Sequence, residues 1–218
     1  MCIRDSSLMF GFDRAGWPFL LGAVVLALAG AWLGGRWWSL PGVALALTFL
    51  FFFRDPERPL PADQSLIVSP ADGLVMAVGP AGEGAPPGTW TQITIFLSPL
   101  DVHVNRAPVS GRVTRVTHKA GKFLPAYKPE SGAVNEQSEI WVDHDGRTAV
   151  YRQVVGLLAR RVVARVKEGD TLVVGQRVGV MKFGSRMDVF LPPGIPVSVK
   201  KGDRVVAAET ILGRWTPA

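Results

Sequence analysis

Gly184 and Ser185 sit where one apolar run, Val178-Gly179-Val180-Met181, ends and another, Met187 to Leu191, begins before closing on Pro192-Pro193. Two strands joined by a tight corner place Ser185 on the bend. With no Cβ, Gly184 lets the chain take a strained φ and lets another group approach its carbonyl closely. An attack by the Ser185 hydroxyl on that carbonyl needs both. A plain hairpin turn, in which Ser185 bonds its own backbone, fits the same dipeptide. The corner alone does not choose between them.

Two upstream segments bring an acid and a base: Ser69-Pro70-Ala71-Asp72-Gly73-Leu74-Val75 and Asp101-Val102-His103-Val104-Asn105-Arg106-Ala107-Pro108-Val109-Ser110-Gly111. A serine hydroxyl is a weak nucleophile near neutral pH, and a positioned base is worth about 10²–10⁴-fold. His103, with an unperturbed pKa of about 6.5, is the candidate base. Asp72 could orient its imidazole and stabilise the protonated form. Asp-Gly is equally the signature of an ordinary hairpin corner. His144, inside Asp143-His144-Asp145-Gly146, reads as an exposed turn, and His118 as a strand end. No cluster has metal-ligand spacing, and Cys2 is remote from the histidines, so no metal is expected.

Taken together, FGSRMDVFLP, SPADG and DVHVNRAP, with FFRDPER and AGKF, resemble the phosphatidylserine decarboxylase proenzymes in their short, membrane-anchored form. The likeness runs from near Phe53 to the end of the sequence. It implies self-processing: Ser185 attacks the Gly184 carbonyl, the peptide becomes an ester, and β-elimination separates Met1–Gly184 from a chain headed by a pyruvoyl group. That pyruvoyl, made from Ser185, is the implied cofactor, with an electron-withdrawing role like that of pyridoxal phosphate elsewhere. The implied reaction turns phosphatidylserine into phosphatidylethanolamine, with Ser185, His103 and Asp72 catalytic. The chain departs from the longer bacterial enzymes in one respect. Where they carry two histidines three apart, this sequence has His103 and Arg106. A guanidinium there suits a substrate phosphate or carboxylate, or an acid of the fold. Arg160-Arg161 poses the same choice.

These residues need a scaffold, and the composition limits what it can be. At 218 residues the chain holds one ordinary domain and an appendage. A net charge of +6 favours an anionic partner. Its basic residues are scattered without a nucleic-acid-binding motif, which points to a phospholipid surface and away from nucleic acid. The single cysteine, Cys2, excludes an internal disulfide framework. Residues 1–16 read as a tail, and its first seven residues, MCIRDSS, match no targeting signal and need not be the native start.

Residues 17–53 contain two apolar runs, Pro18 to Gly35 and Trp37 to Phe53, separated by Arg36. Each makes a helix of about 25–27 Å, a little short of a hydrocarbon core of about 30 Å. Trp17, Trp32, Trp37 and Trp38 lie at the run ends, as interfacial aromatics do. Gly34-Gly35-Arg36 allows a tight reversal, so a helical hairpin is expected, spanning or re-entering a membrane; a buried hairpin of a soluble core has the same pattern. Arg14, Arg54 and Arg58 at its open end, against Arg36 at its closed end, put both ends and the following domain on the cytoplasmic side of the cell membrane.

Residues 54–64 read as a charged, Pro-rich linker, and 65–218 as a mainly β domain of short β-branched runs between Gly/Pro corners. Pro70-Ala71-Asp72-Gly73-Leu74-Val75 returns as Pro108-Val109-Ser110-Gly111-Arg112-Val113. Val166-Lys167-Glu168-Gly169-Asp170 returns as Val199-Lys200-Lys201-Gly202-Asp203. Doubled turn-and-strand units predict two intertwined halves. They are similar to those of lipoyl- and biotinyl-type barrel-sandwich domains, which is the fold expected here. That similarity carries an alternative function, a membrane-anchored carrier or adaptor with Lys182 as the modified residue. Such a protein has no use for the His103 region or for the Gly-Ser-Arg that follows Phe183. The two cleaved chains would remain partners, and the sequence leaves a homo-oligomer open.

Overall fold

The chain divides into two compact units, Met1–Glu57 and Arg58–Ala218, in a computed structural model that describes residues 8–9, 11–157, 162–182 and 184–216. In the first unit, two short strands, β1 (Leu8–Met9) and β2 (Phe12–Asp13), precede α1 (Trp17–Gly34) and α2 (Leu40–Phe52). Each helix carries Pro in its first turn, where a missing N–H costs nothing. Gly35, at φ 82°, ends α1, and a 3-10 turn over Arg36–Ser39 completes the reversal at the glycines that predicted it. The helices meet backbone to backbone. A Cβ on Gly42 would stand 2.4 Å from the Ala27 nitrogen, and one on Gly30 would stand 2.2 Å from the Trp38 oxygen. Their other faces are apolar and uncovered, with Leu21, Val25, Leu28, Leu33 and Leu47 pointing outward. The stretch Arg14–Gly34 is long and apolar enough to cross a membrane, while Arg36–Phe52 is apolar but shorter.

Residues expected to start a linker continue the first unit. Asp55 donates its N–H to the Gly11 carbonyl at 2.7 Å, and Asp13 donates its own to the Phe53 carbonyl at 2.9 Å.

The second unit is mainly β. In chain order its strands are β3 (Leu66–Val68), β4 (Gly73–Pro80), β5 (Thr91–Leu97), β6 (Val104–Arg106), β7 (Gly111–Lys119), β8 (Gln137–His144), β9 (Arg147–Val155), β10 (Val162–Ala164), β11 (Thr171–Leu172), β12 (Arg177–Met181), β13 (Ser185–Leu191), β14 (Arg204–Val205) and β15 (Ile211–Arg214). A single-turn helix, α3 (Ser131–Val134), lies between β7 and β8. Eight strands form one antiparallel sheet in the order β11-β7-β8-β9-β13-β5-β4-β14, curled into a half-barrel. A three-stranded sheet, β10-β12-β6, and the pair β15-β3 complete the unit. Alternation along the strands assigns Ile93, Ile95 and Leu97 of β5, Met187, Val189 and Leu191 of β13, and Tyr151 of β9 to one buried cluster with Val178 and Met181 of β12. Each such side chain contributes about 1.5–3 kcal/mol by leaving water. β13 is buried along its whole length, so it is enclosed on both faces.

The sequence repeats are structural repeats. β14 pairs with β4 through Arg204↔Leu74, and β11 pairs with β7 through Thr171↔Arg112. In both copies the turn aspartate accepts from the lysine amide three residues back, Lys200 to Asp203 and Lys167 to Asp170, each at 2.9 Å. In both, the register slips two residues beyond the glycine, after Val75 and after Val113. A Cβ on Gly73 would lie 2.2 Å from the Phe96 oxygen, and one on Gly111 would lie 2.1 Å from the Asp143 oxygen, which is why both copies keep glycine. The expected intertwined halves are therefore present, while the likeness to lipoyl- and biotinyl-type domains remains one of these turn units alone.

Candidate active site

Ser185 opens β13, the strand at the middle of the large sheet, paired with Leu97 on one side and Val155 on the other. Gly184 precedes it at φ 72°, in the left-handed region that favours glycine. The corner expected from the Gly-Ser pair is thus present, and it is enclosed. Ser185 has no exposed surface, and its Oγ has no hydrogen-bond partner among the described residues. A buried hydroxyl left unpaired costs about 1–3 kcal/mol, so this one stands out from ordinary turn serines, which bond their own backbone.

The Gly184 carbonyl rests against Gly156, just past the end of β9. A Cβ at 156 would stand 2.2 Å from the Gly184 oxygen. Asn135 holds this stretch by donating its Nδ2 to the Val155 carbonyl at 2.8 Å. Phe183, on the other side of Gly184, lies outside the described residues.

His103 reaches the same corner from the loop between β5 and β6. It is buried, and its Nδ1 lies 2.9 Å from the Asp101 carbonyl. A carbonyl only accepts, so Nδ1 carries the proton and Nε2 presents its lone pair. That Nε2 accepts the Gly184 N–H at 3.4 Å. The loop itself is tied down, with the Asp101 carboxylate accepting from the Ser98 amide at 2.8 Å and from Arg204 at 2.6 Å. His103 and Ser185 are therefore brought to one corner. The imidazole bonds the residue before the serine and not the hydroxyl.

Asp72 is held elsewhere. Its carboxylate takes a two-pronged grip from Arg58, Nη1 at 2.6 Å and Nη2 at 2.8 Å, and accepts the Ala207 amide at 2.8 Å. The expectation that Asp72 orients the His103 imidazole is corrected here, because the Asp101 carbonyl fills that position. Arg106 is buried on β6, directing Nη1 to the Gly175 carbonyl at 3.1 Å. It pairs with Arg177, whereas Met181, about 13 Å further along β12, donates to the His103 carbonyl. The structure does not bring Arg106 to the Ser185 corner. Arg160 and Arg161 lie outside the described residues.

The other histidines divide. His118 is exposed, 3.7 Å from a Glu136 oxygen. His144 is buried, not on an exposed turn: its ring stacks on Trp215 with centroids 5.1 Å apart, and Nδ1 lies 3.1 Å from the Ser110 hydroxyl.

Arg186 turns to the opposite face of the sheet from Ser185. Its Nε donates to Asp188 at 2.8 Å, and Nη1 donates to the Pro129 carbonyl at 3.1 Å. It forms part of the wall of a cavity of about 880 Å³, with Val78, Gln92, Thr94 and Tyr127. Ser185 is not in that wall. Ala126, also in that wall, comes close to the corner, with its Cβ 3.3 Å from where a Cβ on Gly156 would be.

Gly156 and Arg58 are the residues that sequence reasoning passed over. Arg58 stands in the Arg54-Asp55-Pro56-Glu57-Arg58 motif, so its signal was available. Gly156 gave none beyond an isolated glycine at the end of a β-branched run.

A family model described as phosphatidylserine decarboxylase matches residues 45–213. The chain is 45% identical over 205 residues to a phosphatidylserine decarboxylase proenzyme of Symbiobacterium thermophilum, covering 92% of this chain and 94% of that one. It is 44% identical over 184 residues to the protein of the same name from Solibacter usitatus, with 84% and 87% covered. To that of Geobacter metallireducens it is 42% identical over 207 residues, with 91% and 94% covered.

Proposed function

The chain belongs to the phosphatidylserine decarboxylase family and is a decarboxylase, and from that premise we propose that it cuts itself between Gly184 and Ser185 and then decarboxylates phosphatidylserine to phosphatidylethanolamine. The observation that carries this reading is the Ser185 hydroxyl, buried without a partner directly after a left-handed glycine. No described residue holds that hydroxyl to its own turn, which leaves it able to turn on the carbonyl next to it.

In the cut, the Ser185 Oγ bonds the Gly184 carbonyl carbon, and the bond from that carbon to the Ser185 nitrogen breaks, leaving an ester. The proton lost by Oγ must reach the departing nitrogen. His103, whose Nε2 lies on the Gly184 amide one residue away, is the carrier that the geometry supports. Gly156 leaves room for the Gly184 oxygen to shift as its carbon becomes tetrahedral. β-Elimination then takes the Ser185 Cα proton and breaks the Cβ–Oγ bond, leaving Gly184 as a carboxylate and residue 185 as dehydroalanine; its imine tautomer adds one water, which supplies the ketone oxygen of the pyruvoyl group as the nitrogen leaves as ammonia. The enclosed position of Ser185 fits a group that must be kept from bulk water. The pyruvoyl group supplies the electron-withdrawing carbonyl that accepts the electron pair released when CO₂ leaves the substrate. His103 returns a proton to the substrate carbon. Asp72 is assigned a positioning role, fastening Arg58 and the Ala207 amide beside the β4 corner.

The apolar helices hold the enzyme on its membrane, and the arginines at the open end of the hairpin favour a cytoplasmic catalytic unit. Intact-mass analysis of the expressed protein tests the proposal. Two chains, 1–184 and 185–218, are expected, the shorter blocked to Edman degradation until its carbonyl is converted to an amine. Ser185→Ala remains whole and inactive. A fully active, uncut wild-type chain overturns the reading.

A further inference from the structure

Among the described large apolar side chains of the second unit, the three most exposed are Leu100 at 71%, Leu157 at 61% and Tyr127 at 57%. All three stand around the Ser185 corner. Leu97, Ser185 and Val155 lie in one row across β5, β13 and β9. Leu100 follows that row by three residues on one side, and Leu157 follows it by two on the other. Tyr127 is next to Ala126, which nearly touches Gly156, and its ring packs edge-on against Phe96 with centroids 6.1 Å apart. The opposite end of the sheet, at the Asp145-Gly146 turn, carries no comparable group among the described residues.

We propose that Leu100, Tyr127 and Leu157 form a lip that seats on a phospholipid surface, so that head groups meet the Gly184–Ser185 corner from the lipid side. Apolar groups collected at one rim and bordered by polar residues mark an interaction surface. Three side chains are too few for a stable protein partner, which buries about 1,200–2,000 Å². They suffice as a second contact for a chain already tethered by an apolar hairpin, because tethering makes the second contact intramolecular. The charges agree with a lipid partner. The segment bearing Tyr127 exposes Lys122 and Lys128 against one acid, Glu130, and anionic head groups attract such a segment. What enters at the lip rests on the decarboxylase reading; the seating itself does not.

The test uses the full chain with Cys2→Ser, reconstituted into phosphatidylcholine–phosphatidylserine vesicles. Single cysteines, Leu100→Cys, Tyr127→Cys or Leu157→Cys, carry an environment-sensitive fluorophore, with Glu168→Cys on an exposed turn of the other half as control. Lipids brominated on their acyl chains are expected to quench the three lip probes several-fold more than the control. Equal quenching overturns the proposal. So does a lip shielded from an aqueous quencher but untouched by brominated lipid, which would mean that a second copy of the chain covers it. The same measurement on Ser185→Ala protein does not depend on cleavage or turnover, so it stands even if the decarboxylase reading fails. In active protein, Leu100→Asp with Leu157→Asp is expected to raise KM for vesicle lipid about tenfold with kcat and cleavage unchanged.

Discussion

The chain enters the two central strands of the large sheet in matching ways, β13 through Gly184-Ser185 and β9 through Gly146-Arg147. The registers make these positions equivalent: Leu74, Phe96 and Arg186 form a row at one end, and Arg112, Asp143 and Thr148 form the corresponding row at the other. Both glycines are left-handed, at φ 72° and φ 80°. Each corner has a histidine beside it. At the hairpin end the turn and its histidine are bonded, although the Trp215 Nε1 beside them is buried without a partner among the described residues. Asp145 and Gly146 both have positive φ, as a two-residue hairpin turn requires, and the Gly146 amide donates to the Asp143 carboxylate at 3.3 Å. His144 stacks on Trp215, and Arg147 lies over the same ring and bonds the Thr216 carbonyl. At the other end Ser185 is buried with an unpaired hydroxyl, and the His103 Nε2 meets the backbone. A left-handed glycine is thus shared by a plain hairpin and the corner proposed to react. What separates them is the enclosure of the residue after the glycine, Ser185, whose own hydroxyl is left without a partner among the described residues.

The largest effect on cleavage is expected where that enclosure is tightest. Gly156→Ala places a Cβ against the Gly184 oxygen, and a misplacement of about 1 Å can cost about 10²-fold in rate, so cleavage should slow by that order or stop. Gly146→Ala, in open space at a strained φ, should leave cleavage unchanged and cost about 1 kcal/mol of stability. Gel time courses and thermal melts on both variants read this out. If Gly156→Ala is cut at the wild-type rate, the close approach at the corner has no part in processing.

The two histidines extend the comparison from cleavage to turnover. His103→Ala should lower decarboxylation per pyruvoyl by about 10²–10⁴-fold, even in any fraction that matures. His144→Ala should lower stability and leave turnover per pyruvoyl intact. CO₂ release normalised to pyruvoyl content separates the two, and a matured His103→Ala enzyme working at the wild-type rate removes His103 as proton donor.

Asp72 gives a smaller and more diagnostic effect. Asp72→Asn should slow cleavage, while molecules that mature keep much of their activity. Because Arg58 grips that carboxylate with both Nη atoms, Arg58→Gln should slow cleavage to a similar degree. Breaking a largely buried pair by removing one partner costs about 3–5 kcal/mol, so melting curves should fall together in the two variants. A slowed Asp72→Asn beside an unaffected Arg58→Gln would show that Asp72 acts on processing without Arg58.

Much of this was legible in the sequence, and the limits have physical reasons. Local chain chemistry marked the hairpin reversal at Gly34-Gly35, the doubled turns and the corner at Gly184, because a missing Cβ acts on the residue's own backbone and its nearest contacts. Partner choice was less legible. Asp72 bonds an arginine from the stretch that joins the two units, and the imidazole found a carbonyl two residues from itself. The Asp-Gly that follows His144 reads as a solvated turn, yet the ring is covered by Trp215, which lies just past β15 of the separate β15-β3 pair. Which side chains meet across a sheet depends on registers fixed by the whole domain, and no window of sequence contains them.

The smallest expected effect is also the sharpest use of the comparison. Arg147→Ser writes Gly-Ser at the hairpin end, directly after a left-handed glycine and at the position equivalent to Ser185. If dipeptide and backbone angle sufficed, this variant would be cut between residues 146 and 147. The structure predicts that it stays whole there. The hairpin is open to water, so the new hydroxyl would be solvated; His144 keeps its ring against Trp215 and its Nδ1 on Ser110. A Cβ added to Gly146 or to Gly184 would meet no atom within 4 Å, and the two corners differ instead in the close approach of Gly156 to the Gly184 oxygen. Intact mass after prolonged incubation should therefore give only the 184/185 cut, with stability lowered slightly by the loss of the Arg147 contact with Trp215, worth about 0.5–1 kcal/mol. A second cut at 146/147 would mean that the left-handed corner carries the reactivity by itself, and that burial around Ser185 serves the mature enzyme and not the processing step.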